Sequence, residues 1–182
     1  SSGWASSNVD QDPGVTGYTE IADLFADDTR DTNHSVSWKA MGATPDSSAT
    51  VNGSNNSTNG SCGVASIFRY VDAGAPFDIT ATSAIGINSG LPDSPAIAPS
   101  SSGAVIVIAV ASTGDTTPSS LTAPSGMVLN GQRTNGGSTR GFRTLMARAS
   151  WAGGTYDPGP CSSAESSTSD SWTAVTMALK PW

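Results

Sequence analysis

The residues able to do chemistry are few in this sequence, and the single histidine, His34, is the first to weigh. A Ser/His/Asp triad would need it as the base, yet no Gly-x-Ser-x-Gly turn presents a nucleophile. His34 stands in HSVSWKAM with Val36 and Trp38 on its face, so a structural or surface role fits it better. Cys62 and Cys161 lack the paired C-x-x-C spacing of a metal site. As a candidate disulfide they could pair within the chain, cross-link neighbours or stay free. Asp27, Asp28 and Asp31 could hold calcium, but D-D-T-R-D is not the spaced EF-hand loop, and a solvated turn is the better reading. Fifteen acidic residues make any pairing of carboxylates for sugar hydrolysis uninformative. No metal, cofactor or catalytic set is implied.

Aromatic residues offer a different chemistry. Five tryptophans are many for 182 residues, and exposed indoles stack on sugars. Trp38 and Trp172 read as core, which leaves Trp4, Trp151 and Trp182 as candidate glycan contacts. Asn-x-Ser/Thr sequons at Asn33, Asn52, Asn55, Asn56 and Asn59 read as the by-product of a tract rich in Asn, Ser and Thr.

Such side chains must be positioned by strands. Helix formers are scarce, turn residues recur at short intervals, and only 13% of residues are charged, which together favour one all-β domain over residues 1–182. The core element is Gly103 to Ser112, GAVIVIAVAS, whose β-branched run is extended and far short of the roughly 20 apolar residues of a membrane span. Ala104, Ile106, Ile108 and Val110 face one way, and Val105, Val107, Ala109 and Ala111 the other. Both faces are apolar and need a cover: a loop, the other half of the chain, or a neighbouring subunit. Val105, Val107 and Ala109 are therefore candidate interface residues.

Further strands are expected at 18–26, 34–41, 62–71, 78–87, 127–129, 140–150 and 172–179, with a polar loop over 1–17. Pro181 and Trp182 follow the last strand and are candidate interface residues, since proline cannot continue a central ladder. The net charge of −7 argues against a nucleic-acid partner. Acidic residues from Asp10 to Asp31 crowd the start, and Arg133, Arg140, Arg143 and Arg148 cluster late. Two solvated faces explain this; head-to-tail attraction between copies is the functional alternative, with Arg140, Arg143 and Arg148 at the interface.

The halves repeat, roughly over 1–77 and 78–182. Ser2, Gly3, Trp4 matches Ser125, Gly126, Met127; HSVSWKAM with its following loop matches TLMARASWAGG with its own; CGVASIFRYVD matches SWTAVTMALKP. The second unit is preceded by GAVIVIAVAS and the first by nothing comparable, so a strand is expected from upstream residues or from another subunit. The opening Ser1-Ser2-Gly3-Trp4 itself looks like a continuation.

The succession AIAPSSSGAVIVIAVAS, TAPSGM, TYDPG and SDSWTAVTMALKP, with YTEIADLFADDTRDTNHSVSWKAMGATPD and FRYVDAGAPFD before it, resembles a group of small β-sandwich proteins of tailed bacteriophages and prophages. The resemblance covers nearly the whole chain except the first strand. It implies an antiparallel β-sandwich of jelly-roll type and a non-enzymatic role in capsid decoration, a head fibre or a tail. Its partners would be other copies of itself and a capsid or tail protein on the virion surface, without membrane insertion. A glycan-binding receptor module, meeting a host surface glycan, is the alternative; a hydrolase is remote.

Overall fold

The computed structural model describes residues 1–6, 14–51, 60–87, 89–165 and 170–182, with backbone alone for 4–6. Among them there is no helix. The long strands are β1 (Ser2–Ser6), β2 (Thr19–Ala26), β3 (Asp31–Trp38), β5 (Phe77–Gly86), β7 (Val105–Gly114), β9 (Val128–Asn135), β10 (Gly141–Ser150) and β13 (Trp172–Leu179). Shorter ones are β4 (Ser61–Gly63), β6 (Asp93–Ser94), β8 (Leu121–Thr122), β11 (Gly159–Pro160) and β12 (Ser162–Ser163). The two larger antiparallel sheets, one ordered β2-β3-β1-β4 and the other β5-β13-β7-β10-β9, pack as a sandwich, and β6 pairs with β11 and β8 with β12 in two small ribbons.

The β7 strand is central because every residue from Ile106 to Gly114 is buried. Its two faces divide as the alternation predicts. Val107 and Ala109 meet Val36 of the first sheet together with Met146, Val175 and Met177. Ile108 and Val110 meet Leu121, Leu145, Cys161 and Trp172 beneath the loops that carry β8 and β12. The cover is thus the chain's own other half on one side and its own loops on the other. Val107 and Ala109 accordingly pack inside the chain at no more than 1% exposure, which removes them as an interface, and Val105 is half-buried against the same cluster.

The internal repeat is visible in the topology. In chain order β1, β2, β3 and β4 lie in the sheet as 2-3-1-4, and β7, β9, β10 and β13 repeat that order. Across the sandwich β1 lies over β10 while β3 lies over β7, and β4 lies over β9 while β13 lies over β2. These contacts exchange under a pseudo-twofold axis that swaps the halves. The β5 strand is an addition beside β13, without a counterpart beside β4 among the described residues.

Several expectations shift. Every strand of residues 2–63 stays in one sheet and every long strand of residues 77–179 in the other, so the connectivity is not the alternation between sheets of a jelly roll. Ser2-Gly3-Trp4 forms part of β1, the counterpart of β7, whereas Gly126 sits in a turn ahead of β9. The β9 strand runs to Asn135 through residues whose glycine and asparagine content reads as loop. Asp10, Asp12, the sequons at Asn52, Asn55, Asn56 and Asn59, and the Trp4 side chain lie outside the described residues.

Candidate functional site

His34 is fully buried between the sheets. Its Nδ1 lies 2.8 Å from the Thr173 hydroxyl and its Nε2 2.8 Å from Ser1 Oγ, which in turn lies 2.9 Å from Thr144 Oγ1. The Thr144 hydroxyl donates to the Val110 carbonyl at 2.9 Å, and that fixes the direction of the chain. Ser1 must then donate to Thr144, His34 Nε2–H to Ser1, and Thr173 to Nδ1. A serine nucleophile needs the imidazole to accept its proton, whereas here the imidazole donates to Ser1. Burial lowers the His34 pKa to about 3, so the ring is neutral. The Ser–His pair is structural.

Arg143 is likewise fully buried, on the opposite face of the five-stranded sheet. Its guanidinium reaches Asp170 at 3.3 Å and Glu165 at 3.5 Å, and donates to Ser163 Oγ at 3.1 Å. Asp170 is shared with Arg30 at 2.9 Å, and Arg30 also pairs with Asp115 at 2.9 Å. Burial pulls the Arg143 pKa down and pushes that of Asp170 up, while the two carboxylates raise that of Arg30 against its own partial burial. Arg143 therefore pins loops to the sheet and is unavailable to another subunit. Arg148 is exposed and donates to Asn130 Oδ1 at 3.2 Å; Arg140 lies at the other end of β10. The late arginines form no single patch.

The cysteines are both free. Cys62 packs against Ala111 and Phe142 on the inter-sheet face of β7 and β10, and Cys161 packs with Ile108 and Val110 on the other face. The sheet stands between them, which rules out the intrachain pairing. Burial raises both thiols to about 12.

Aromatic placement separates the indole candidates. Trp151 packs on Ile97 and Tyr156 and donates to the Gly154 carbonyl at 2.9 Å. Trp172 is core and donates to Ser89 Oγ at 2.8 Å, and the half-buried Trp38 meets Phe77 edge-on at 5.5 Å. Trp182 is 93% exposed, although its backbone N–H is tied to the Tyr70 carbonyl at 3.0 Å and Pro181 bridges to Val71. Pro181 is thus engaged within its own chain. Tyr70 is itself 82% exposed and holds a positive φ of 61°, a costly conformation for a bulky residue. Ile67 stands nearby in sequence at 73% exposure.

The sheet edges add to this surface. Ile79, Ile85 and Ile87 are exposed along or just beyond β5, whose outer side has no strand partner among the described residues, and Val128 and Leu129 are exposed on the opposite edge strand, β9. Sequence reasoning passed over Tyr70, Ile67 and the β5 isoleucines. A Thr-rich strand with isoleucines scattered through it was the only available signal.

No protein-family model, no curated protein and no solved structure matches this chain.

Proposed function

We propose that this chain is a non-enzymatic structural module of a bacteriophage particle, a decoration, head-fibre or tail-associated protein that docks on its own copies and on a capsid or tail protein at the particle surface. The particle assignment rests on the rhythm of strands and turns in the sequence. The assembly reading rests on Trp182 and Tyr70, two aromatic residues 93% and 82% exposed whose backbones are tied by the hydrogen bond from the Trp182 N–H to the Tyr70 carbonyl. Rigid exposed aromatics are the usual anchors of protein interfaces, since they bury large area at little entropic cost. The β5 edge, which has no strand partner among the described residues and carries exposed isoleucines, is a second docking element.

Sedimentation velocity across the micromolar range, on the chain and on a Tyr70→Ser/Trp182→Ser double variant, tests the assembly reading. Concentration-dependent association that the double variant loses is the expected result. A chain that stays monomeric throughout sinks it.

The same two residues favour one alternative, a glycan-binding module, because exposed aromatic faces also stack on sugars. A glycan array probed with the chain and with Trp182→Ala separates the two readings: binding lost in the variant supports the sugar site, and a blank array removes it.

A further inference from the structure

The two sheets share an order but not a length. Between β10 and β13, β7 supplies ten residues, while between β3 and β4, β1 supplies five. The ends at which these strands leave their sheets correspond, since Ser6 pairs with Asp31 at the start of β3 as Gly114 pairs with Gly141 at the start of β10. Counted back from there, Ser2 stands where Val110 does and Ser1 where Ala109 does. The stretch 105–108 has no counterpart among the described residues.

The flanking elements nevertheless continue. The β3 strand runs on to Trp38, beyond its last β1 pair at Ser35. After Gly63, residues 64–69 keep the alternating burial of a strand, with no strand beside 65–69 among the described residues. Val64 still exchanges two backbone hydrogen bonds with Ser1, at 2.8 and 3.1 Å, so the ladder is intact up to that point. Past it lies a groove of about 750 Å³ walled by Val36, Trp38, Val64 and Phe68.

Val107, Met146, Met177 and Leu179 from the second sheet form its floor. Met146 and Leu179 retain 8% exposure there, whereas Ile106 and Ile108 on the loop-covered face have none. Ser66, on the wall, has a buried hydroxyl without a hydrogen-bond partner.

We propose that this groove seats one further β-strand, joined directly ahead of Ser1 in the same polypeptide and apolar at the second and fourth positions before Ser1. Those positions correspond to Val107 and Val105, which in the second half turn toward the facing sheet. The repeat itself supplies the argument, because the matching place in the second sheet is filled by the first residues of the same strand. Direction supplies another. β1 is antiparallel to both β3 and β4, and an occupant that keeps this antiparallel pairing ends with its carbonyl at the Ser1 nitrogen. A strand from a separate molecule would bring a charged carboxylate or a turn into an apolar slot at that point, whereas a peptide bond buries no charge. The inference stands whether or not the chain belongs to a particle.

The test compares three forms of the chain of residues 1–182: one extended by Val-Ile-Val-Ile ahead of Ser1, one extended by a Gly/Ser segment of equal length, and one without extension to which the free Val-Ile-Val-Ile peptide is added. Thermal unfolding and amide hydrogen exchange are read for each. The apolar extension is expected to raise Tm by at least about 5 °C over the Gly/Ser form and to protect the amides of residues 65–69. Equal Tm and equal exchange in the two extended forms overturns the proposal. Protection by the free peptide as strong as that by the fused strand also overturns it, since the donor would then be another polypeptide.

Discussion

The Thr173 hydroxyl in β13 and Nδ1 of His34 in β3 lie 2.8 Å apart, a hydrogen bond that spans the interior from one sheet to the other. It holds only while the imidazole is neutral, because a protonated Nδ1 has no lone pair to accept with. The folded His34 pKa of about 3 lies below the unfolded value of 6.5, so between these values the unfolded chain binds the additional proton. This contribution to stability is complete above pH 6.5 and is lost progressively as pH falls toward 3. From pH 6.5 to 4.5 the loss is about 2 kcal/mol. Urea unfolding across that range measures it, with His34→Gln expected to flatten the slope. An unchanged slope in the variant would show that His34 titrates normally.

Arg143 and Asp170 answer differently to substitution than their exposed neighbour does. Asp170 is buried and faces two guanidiniums, so Asp170→Asn leaves Arg143 charged in the interior with only the more distant Glu165. Removing one partner of a buried pair costs about 3 to 5 kcal/mol. Asp115 bonds the same Arg30 from a position 61% exposed, and Asp115→Asn should cost under about 1 kcal/mol. Equal losses of stability in the two variants would mean that water reaches the Arg143 guanidinium.

The contrast between these networks and the apolar strands explains what the sequence discloses. GAVIVIAVAS, RGFRTLMARAS and WTAVTMAL read correctly as strands to within about two residues, because each buries side chains whose alternation is written in their types. The β3 strand begins three residues before the alternation starts, since Asp31, Thr32 and Asn33 are buried and polar; Thr32, for one, donates to the Ser171 carbonyl at 3.0 Å. Such burial depends on partners distant in the chain. Arg143 reads as a surface charge for the same reason: its carboxylates arrive from a loop that composition does not place. Residues 62–71 read as one strand from their alternation, whereas the strand spans only Ser61–Gly63, because its pairing depends on the length of β1.

Cys62 and Cys161 should be slow to react in the folded chain. Thiols at about 12 hold roughly one part in ten thousand as thiolate at pH 8. Titration with an aromatic disulfide reagent should release two equivalents promptly in denaturant and far less in buffer. Mobility on gels should be the same with and without reductant. An immediate full equivalent in buffer would place one thiol at the surface and reopen cross-linking between copies.

Gly86 closes β5 directly opposite Trp172, and the indole lies across it. A Cβ at this position would overlap Cε2 and Nε1 of the Trp172 ring and the Ser89 hydroxyl that the ring nitrogen bonds. Gly86→Ala therefore has to displace the indole from a cluster that includes Ile108, Val110 and Leu145, and the loss of packing should cost about 1 to 3 kcal/mol. Gly42 provides the control, because a Cβ there meets no atom within 4 Å, and Gly42→Ala should be neutral or slightly stabilising. Thermal unfolding of both variants, with the Trp172 indole proton followed by NMR, distinguishes a displaced ring from a general loosening of the edge. The Gly86 variant should lower Tm and shift that resonance; matching Tm values would mean that β5 moves aside from the sheet at little cost.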